Sequence, residues 1–177
     1  MIFDSYPEAM TTPNTNEKFY ENDDGVFFKS DYPSQWFPSV FMIDGREFAN
    51  CEQWMMYQKA ETFGDNETAE EIMATTDPKE IKTLGRKVKN FDKDAWDAVA
   101  DEIVFRGNVA KFSQNPELKE RLLATGNKKF VECATYDPIW GIGMDITTAL
   151  QTPENEWKGT NRLGMAIMKA REFIRTN

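Results

Sequence analysis

The chain has 177 residues, of which 40% are hydrophobic and 13% aromatic, so it can bury the core of one domain and is too apolar to be disordered. Its formal net charge of -9 argues against a protein that binds nucleic acid along many phosphates. The sequence contains 0 histidines, which excludes Ser-His-Asp, Cys-His and HExxH chemistry and leaves carboxylates, lysine, arginine and backbone groups for any catalysis.

The two cysteines, Cys51 and Cys133, are too few for a disulfide framework or a structural zinc site, and we expect them to be buried thiols. No run of 18 apolar residues and no signal-peptide pattern occurs in the sequence. We therefore expect a cytoplasmic protein that does not span a membrane.

The N-terminal third predicts an irregular arm followed by short strands. Residues 1–24 mix Pro, Asn, Thr and acidic residues without a period, so we interpret them as an arm preceding a single domain at residues 25–177. Residues 25–30 and 39–48 are rich in β-forming side chains. The pair Asp44 and Gly45 predicts a hairpin turn inside the second run.

From residue 50 onward the patterns are helical. Asn50 followed by Gln53 resembles a capping box, and the dipeptides Asp77-Pro78 and Asn115-Pro116 mark two further helix starts. Two long segments have apolar residues at helical spacing: Trp96, Val99, Ala100, Ile103 and Ala110 in residues 93–112, and Leu163, Ile167, Ala170 and Ile174 near the C-terminus. The sequence predicts a mainly α, compact single domain with about six helices and a few short strands near the N-terminal third.

The region 135–159 has no helical period and contains glycine, proline and tryptophan residues. An irregular segment of this length inside a compact domain is usually functional or disordered. Because Trp140 and Trp157 argue against disorder, we expect a long functional loop.

The helix that begins after Asn50 carries the first candidate site. Glu52 and Lys59 lie on one stripe of this helix with Met55 and Met56 between them. The helix N-terminus favours the ionised form of Glu52, which suits a base or a carboxylate that faces a developing cation. From spacing alone, a helix with a solvated acid and a lysine at the edge of the core is the favoured alternative.

Three further segments could bind a ligand, each with a simpler alternative. The stretch WGIGMD combines Trp140, the close-approach glycine Gly141 and the carboxylate of Asp145, but a flexible turn explains it equally well. Residues 83–91 are basic and could bind phosphate through Arg86, Lys87 and Lys89, although the charged end of a helix is favoured. Asn161 precedes the last helix, where it could meet an anion or act only as a cap.

Taken together and in this order, five stretches resemble the NADAR family, also called YbiA-like proteins. They are FPSVFMIDGREFANCEQWMMYQKAETFGD, KTLGRKVKNFDKDAW, AKFSQNPELKERLLATG, FVECATYDPIWGIGMD and WKGTNRLGMAIMKAR, and they cover roughly residues 26–175. One departure is clear, because Gln53 stands where the family commonly has His after the acid of its first motif.

The resemblance implies a compact, mainly helical N-glycosidase that acts on ribosyl compounds. Its implied substrates are ribosylaminopyrimidine phosphates of the riboflavin pathway, or ADP-ribose attached to guanine in nucleic acid. By position, Glu52 is similar to the family's catalytic acid and Lys59 to its pocket lysine. The remaining implied site residues are Trp140, Gly141 and Asp145 of the substrate loop, Asn161 before the last helix, and Arg86 and Lys89 of the basic segment.

The residue chemistry is compatible with this implication. Cleavage of a ribosyl C–N bond passes through an oxocarbenium-like state that a carboxylate such as Glu52 would stabilise, or the carboxylate would activate water. Lys59 in an apolar pocket could attack the aldehyde form of the ribose as a Schiff base. Trp140 could stack on the base, and Arg86 or Lys89 could meet the phosphate.

This chemistry needs no metal and no redox cofactor. The negative charge of the chain favours a ribosylated nucleotide or a single modified guanine over an extended nucleic-acid surface. The alternatives are a module that binds ADP-ribose or a related nucleotide without cleaving it, and an interaction protein whose aromatic loops at residues 32–37 and 136–157 dock a partner.

Overall fold

The computed structural model describes residues 17–177, which form seven α-helices and five short β-strands. In chain order the elements are β1 (Phe19–Glu21), β2 (Gly25–Phe28), β3 (Phe41–Ile43), β4 (Arg46–Phe48), α1 (Cys51–Thr62), α2 (Asn66–Met73), α3 (Pro78–Arg86), α4 (Lys93–Gln114), α5 (Pro116–Ala124), β5 (Lys129–Glu132), α6 (Ile146–Gln151), a 3-10 turn (Glu154–Glu156) and α7 (Arg162–Thr176). The expectation of a mainly helical fold with a few short strands is confirmed.

A three-stranded sheet with the order β1-β2-β5 differs from the sequence prediction in two ways. Strand β1 pairs antiparallel with β2, so the interpretation of residues 1–24 as an irregular arm is wrong for Phe19–Glu21, while residues 1–16 lie outside the described residues. Strand β5 pairs in parallel with β2 and lies far beyond the N-terminal third. Its four residues are too few to show a period, and their pairing partner is about 100 residues away in the chain.

The predicted hairpin is confirmed. Strands β3 and β4 pair antiparallel, with Ile43 opposite Arg46 across the turn. Asp44 and Gly45 adopt positive φ angles of 52° and 79°, as a two-residue type I′ hairpin turn requires. Phe41 and Phe48 stack at a ring-centroid distance of 5.8 Å and anchor the hairpin in the core.

Helix α1 lies at the centre of the molecule and packs against α2, α3, α4 and β4. Every residue of its first half, from Cys51 to Met56, is buried. The free N–H groups of this helix end therefore lack full access to water and need partners within the protein. Asn50 supplies one as the predicted cap, because its side chain accepts a hydrogen bond of 2.9 Å from the backbone N–H of Gln53.

The side chain of Gln53 joins the start of α1 to the end of α2. Its Oε1 accepts a hydrogen bond from Ala49 N at 2.8 Å, which completes a capping box shifted by one residue. Its Nε2 donates to the carbonyl oxygens of Ile72 at 3.1 Å and Thr75 at 2.8 Å. The residue that departs from the family pattern therefore has a structural role and satisfies three backbone groups.

The long helix α4 packs between α1 and α7. Trp96, Ala100, Ile103 and Ala110 are buried as predicted, but Val99 is 37% exposed because its position falls beside the buried stripe. The predicted stripe of α7, comprising Leu163, Ile167, Ala170 and Ile174, is buried throughout.

The region 135–159 is more regular than expected. It contains α6 and the 3-10 turn, and Ile142, Met144 and Ile146 pack with β2 and β5 residues in a second, smaller core. The two cysteines, Cys51 and Cys133, are buried free thiols, as predicted. Within residues 17–177, none of the helices has the length and hydropathy needed to cross a bilayer.

We predict that Gln53→Leu lowers the free energy of unfolding by about 3 kcal/mol, because it removes three hydrogen bonds at the junction between α1 and α2. Urea unfolding followed by circular dichroism measures the change. Gln58→Leu, a half-buried position on the same helix, is the matched control. Equal stability of the two variants would show that the junction between α1 and α2 does not depend on Gln53.

Candidate active site

A cavity of about 200 Å³ opens between α1, α3 and the segment that follows β5. Its wall combines aromatic and methionine side chains with acidic and basic groups. The lining residues are Gln35, Trp36, Glu52, Met55, Met56, Lys59, Lys82, Arg86, Trp96, Glu132, Ala134, Tyr136, Asp137 and Trp140. Four of the predicted site residues, Glu52, Lys59, Arg86 and Trp140, are therefore brought together.

Helix α1 forms one wall through the stripe predicted from the sequence. Glu52, Met55, Met56 and Lys59 all line the cavity, so the two charged residues bracket two methionines. Glu52 is only 8% exposed, and the side chain of Trp36 beside it has a small lowering effect on its pKa. The alternative of a solvated acid on the protein surface does not describe this residue.

Burial dominates the electrostatics of Glu52. Removal from water raises its pKa to about 7, although the nearby amino groups of Lys82 and Lys59 act in the opposite direction. Asp137 adds to the rise because a second negative charge disfavours ionisation. The helix N-terminus was expected to keep Glu52 firmly ionised, and burial outweighs that effect.

Lys59 is half-buried at the far end of the same stripe. Desolvation lowers its pKa, Glu52 opposes this effect and the neighbouring Arg86 reinforces it. Its Nζ lies 4.5 Å from the centroid of the Phe91 ring and makes a cation–π contact with it. A lysine in this environment carries a larger fraction of the neutral, nucleophilic amine than an exposed one.

Helix α3 supplies two cations to the opposite wall, Lys82 and Arg86. Arg86 was predicted as a phosphate ligand, whereas Lys82 was missed although it lies one helical turn earlier. The Nζ of Lys82 lies 4.7 Å from the centroid of the Tyr136 ring. Between the two cations, Gly85 lets α3 approach α1, because a Cβ at this position would lie 2.1 Å from the sulfur of Met56.

Glu132, the last residue of β5, is a cavity residue that the sequence analysis missed. Its Oε2 is buried and has no hydrogen-bond partner in the protein. Burial, with the added effect of the acids Asp137 and Glu52, raises the pKa of Glu132 to about 8, and Lys82 opposes the rise. The only sequence signal was a charged residue directly after the apolar pair in FVEC.

Two predicted site residues lie away from the cavity. The carboxylate of Asp145 accepts a hydrogen bond of 2.8 Å from Thr148 N and caps α6, which lowers the pKa of Asp145. Lys89 has an exposed side chain whose Nζ lies 3.5 Å from Glu67. The segment after α3 turns away from the cavity, so Arg86 reaches it and Lys89 does not.

Asn161 and Gly141 support the cavity wall from behind. Asn161 adopts a left-handed conformation with a φ of 52°, and its side chain accepts from Glu132 N at 3.1 Å and donates to Phe130 O at 2.8 Å. It therefore clamps β5 instead of capping α7 with its side chain. A Cβ on Gly141 would lie 2.9 Å from Glu132 O, so a glycine is required for this close approach.

Trp140 lines the cavity and is fixed from outside. The guanidinium of Arg162 lies 4.5 Å from the centroid of its ring. Arg162 is in turn held by Asp101 at 2.8 Å and Asp97 at 3.2 Å. The indole is therefore a preorganised flat surface within the cavity.

The chain is similar in sequence to proteins that are named N-glycosidases. It is 49% identical over 144 residues to N-glycosidase R617 of Acanthamoeba polyphaga mimivirus, which covers 78% of this chain and 85% of that protein. It is 32% identical over 132 residues to N-glycosidase YbiA of Escherichia coli (strain K12), which covers 75% of this chain and 74% of that protein.

The fold is similar to a solved structure. The NMR structure of the Escherichia coli protein YbiA matches with a TM-score of 0.71 and 27% identity, and the match covers 94% of each chain. The sequence profile of the NADAR domain matches residues 18–175, which include every element of the fold except the last residue of α7. The chain therefore belongs to the NADAR domain family.

Proposed function

We propose that this NADAR-family N-glycosidase hydrolyses the C–N bond between a ribosyl or ADP-ribosyl group and a nucleobase or aminopyrimidine. One observation carries the proposal: a buried carboxyl, Glu52, and a desolvated amine, Lys59, share a small cavity with an aromatic platform and two cations. Membership of a family whose relatives are named N-glycosidases supports the same reaction class.

Glu52 is the group proposed to face the ribosyl carbon. Cleavage of the C–N bond develops positive charge at that carbon, and a carboxylate in a water-poor cavity stabilises the charge strongly. The same carboxylate can accept the proton of an attacking water. A pKa of about 7 leaves roughly half of the Glu52 side chains ionised at neutral pH, which suits a general base.

Lys59 is proposed to act as a nucleophile on the open-chain sugar. Its neutral amine adds to the ribosyl carbon and forms an imine as the base leaves, and water then releases the sugar and restores the amine. The lowered pKa of Lys59 supports this step, because only the unprotonated nitrogen has a lone pair for attack.

The remaining walls define where the substrate groups lie. Trp140, held in place by Arg162, is proposed to stack on the base. Arg86 is proposed to bind the phosphate, with Lys82 of the same helix as a second cation. Lys89, Asp145, Gly141 and Asn161 are not proposed to contact the substrate, because they do not line the cavity.

The cavity favours a compact substrate. Its volume is about 200 Å³, whereas pockets that hold a whole drug-sized ligand begin at roughly 300 Å³. We therefore propose that the cavity holds the ribosyl group and the C–N bond to be cleaved, and not the whole substrate. The net charge of -9 also disfavours an extended nucleic-acid surface. The proposed substrates are ADP-ribosylated guanine at one exposed base, with its ribosyl group in the cavity, and a ribosylaminopyrimidine phosphate, and we propose a cytoplasmic location for either reaction.

The direct test is incubation with an oligonucleotide that carries ADP-ribosylated guanine and, separately, with a ribosylaminopyrimidine phosphate. We expect one of them to release its free base, detected by mass spectrometry. Binding of either compound without release would show a nucleotide-binding module in place of an enzyme.

We predict that Glu52→Gln lowers kcat by about 100-fold or more, since the neutral amide neither stabilises the cation nor accepts a proton. Glu61→Gln, an exposed position on the same helix, is the control and should retain the wild-type rate. Because the base must be ionised, kcat/KM of the wild type should fall as the pH drops below about 7. Near-normal turnover by Glu52→Gln would remove its assigned role.

We predict that borohydride added during turnover traps the sugar on Lys59 as a stable secondary amine. Peptide mass spectrometry locates the adduct. Lys82→Ala removes the other cavity lysine but leaves Lys59 in place, so the adduct should still form. Lys59→Ala should give no adduct and should lose most activity. A Lys59→Ala variant with the full rate would exclude the imine route while leaving direct attack by water intact.

A further inference from the structure

Glu132 is a buried acid that the mechanism above does not use. It lines the cavity, and its Oε2 is sealed from solvent without accepting any hydrogen bond. An ionised carboxylate oxygen in this state would be strongly destabilised, whereas a protonated carboxyl would not. A carboxylate with a purely structural role would be expected to accept hydrogen bonds from its neighbours, and Oε2 accepts none.

The surroundings of Glu132 also disfavour its negative charge. The charged and titratable groups that share the cavity with it or lie beside it are Glu52 and Lys59 of α1, Lys82 and Arg86 of α3, and Cys133, Tyr136 and Asp137 of the segment that follows β5. Two of these, Glu52 and Asp137, are carboxyls that raise its pKa, and Lys82 is the cation that opposes them. The cavity therefore contains two buried acids, Glu52 and Glu132, whose first ionisation makes the second less favourable.

The three carboxyls near the cavity do not form a cation site. Within residues 17–177, no group of three or more acidic or cysteine side chains is arranged to hold a metal ion. A proton on the Glu132 side chain is the simplest way to accommodate its buried oxygen.

The backbone of Glu132 is held rigidly. Its N–H donates to Asn161 Oδ1 at 3.1 Å, and its carbonyl accepts from Ile142 N at 2.9 Å. The next residue, Cys133, donates its N–H to Phe28 O at 2.7 Å. These hydrogen bonds fix the backbone from which the Glu132 side chain extends to the cavity, and a preorganised catalytic group requires such support.

We propose that Glu132 is the general acid of the reaction and protonates the nitrogen of the leaving base, while Glu52 acts as its partner base. This inference rests on the proposed function and adds a catalytic residue to it. Asn161 is assigned as the positioning residue that holds Glu132 in place.

The proton transfers balance over one cycle. The electron pair of the C–N bond moves to the base nitrogen, which takes the proton of the Glu132 carboxyl. Water bonds to the ribosyl carbon and gives its proton to the Glu52 carboxylate, and transfer of this proton from Glu52 to Glu132 restores the resting enzyme. If Lys59 attacks in place of water, the step at Glu132 is unchanged.

The kinetic test compares Glu132→Gln with Glu132→Asp on the substrate that the wild type cleaves. A general acid must be protonated, so wild-type kcat/KM should fall as the pH rises above about 8. Glu132→Gln should lower kcat by about 100-fold with little change in KM and should abolish this basic limb. Glu132→Asp should regain part of the rate and the limb, and Glu156→Gln, an exposed position, is the control.

A Glu132→Gln variant that keeps its rate, or that slows but keeps the basic limb, would overturn the assignment. Circular dichroism and thermal unfolding confirm that the variant is folded. Loss of both rate and limb, with recovery by aspartate, supports the proposal because a merely structural role would not move the pH profile.

A measurement without substrate separates this proposal from the proposed function. Carbon-13 NMR of labelled glutamate carboxyls should show Glu132 titrating above pH 7 in the wild type and at a lower pH in Glu52→Gln. Titration of Glu132 near its ordinary value of about 4.3 would overturn the proposal even if no substrate were cleaved. Absence of base release from every substrate would instead refute the proposed reaction.

Discussion

The buried start of α1 is the constraint on which the structure depends. Helix N-termini are usually exposed because their free N–H groups are satisfied by water, but here the first turn is buried, in a helix that packs against three other helices and a strand. Two acceptors replace water in this first turn: the side chain of Asn50 accepts from Gln53 N, and the carbonyl oxygen of Gln35 accepts from Glu52 N. The same enclosure raises the pKa of Glu52, so the device that stabilises the fold also prepares the proposed base.

The cavity has an uneven distribution of charge that follows from how its walls are built. Helix α3 brings Lys82 and Arg86 to one side through the close approach at Gly85, and β5 brings Glu132 to the other. An anionic phosphate and a developing ribosyl cation would each find groups of opposite charge. In the proposed mechanism, two acids with raised pKa values cover the two proton transfers that a histidine often performs, which would allow a chain with 0 histidines to perform acid and base chemistry near neutral pH.

The parts of the site that could be predicted from the sequence are local. The stripe of Glu52, Met55, Met56 and Lys59 follows from helical spacing, and the β3-β4 hairpin follows from its turn residues. Glu132 was missed because its place in the cavity depends on parallel pairing with a distant strand. Asp145 and Asn161 were recognised as special, but their motifs do not distinguish a ligand contact from a cap or a strand clamp, and only tertiary structure decides between them.

The parallel pairing of Gly25–Phe28 with Lys129–Glu132 has a consequence for folding. Closing a loop of about 100 residues is entropically costly, so such contacts tend to form after local helices and hairpins. The walls made by α1 and α3 are neighbours in the chain and can associate early, whereas the acid at the end of β5 arrives only when β5 pairs with β2. A partly synthesised or partly unfolded chain would therefore contain the proposed base and nucleophile without the proposed acid, so the proposed site would be complete only once β5 has paired with β2.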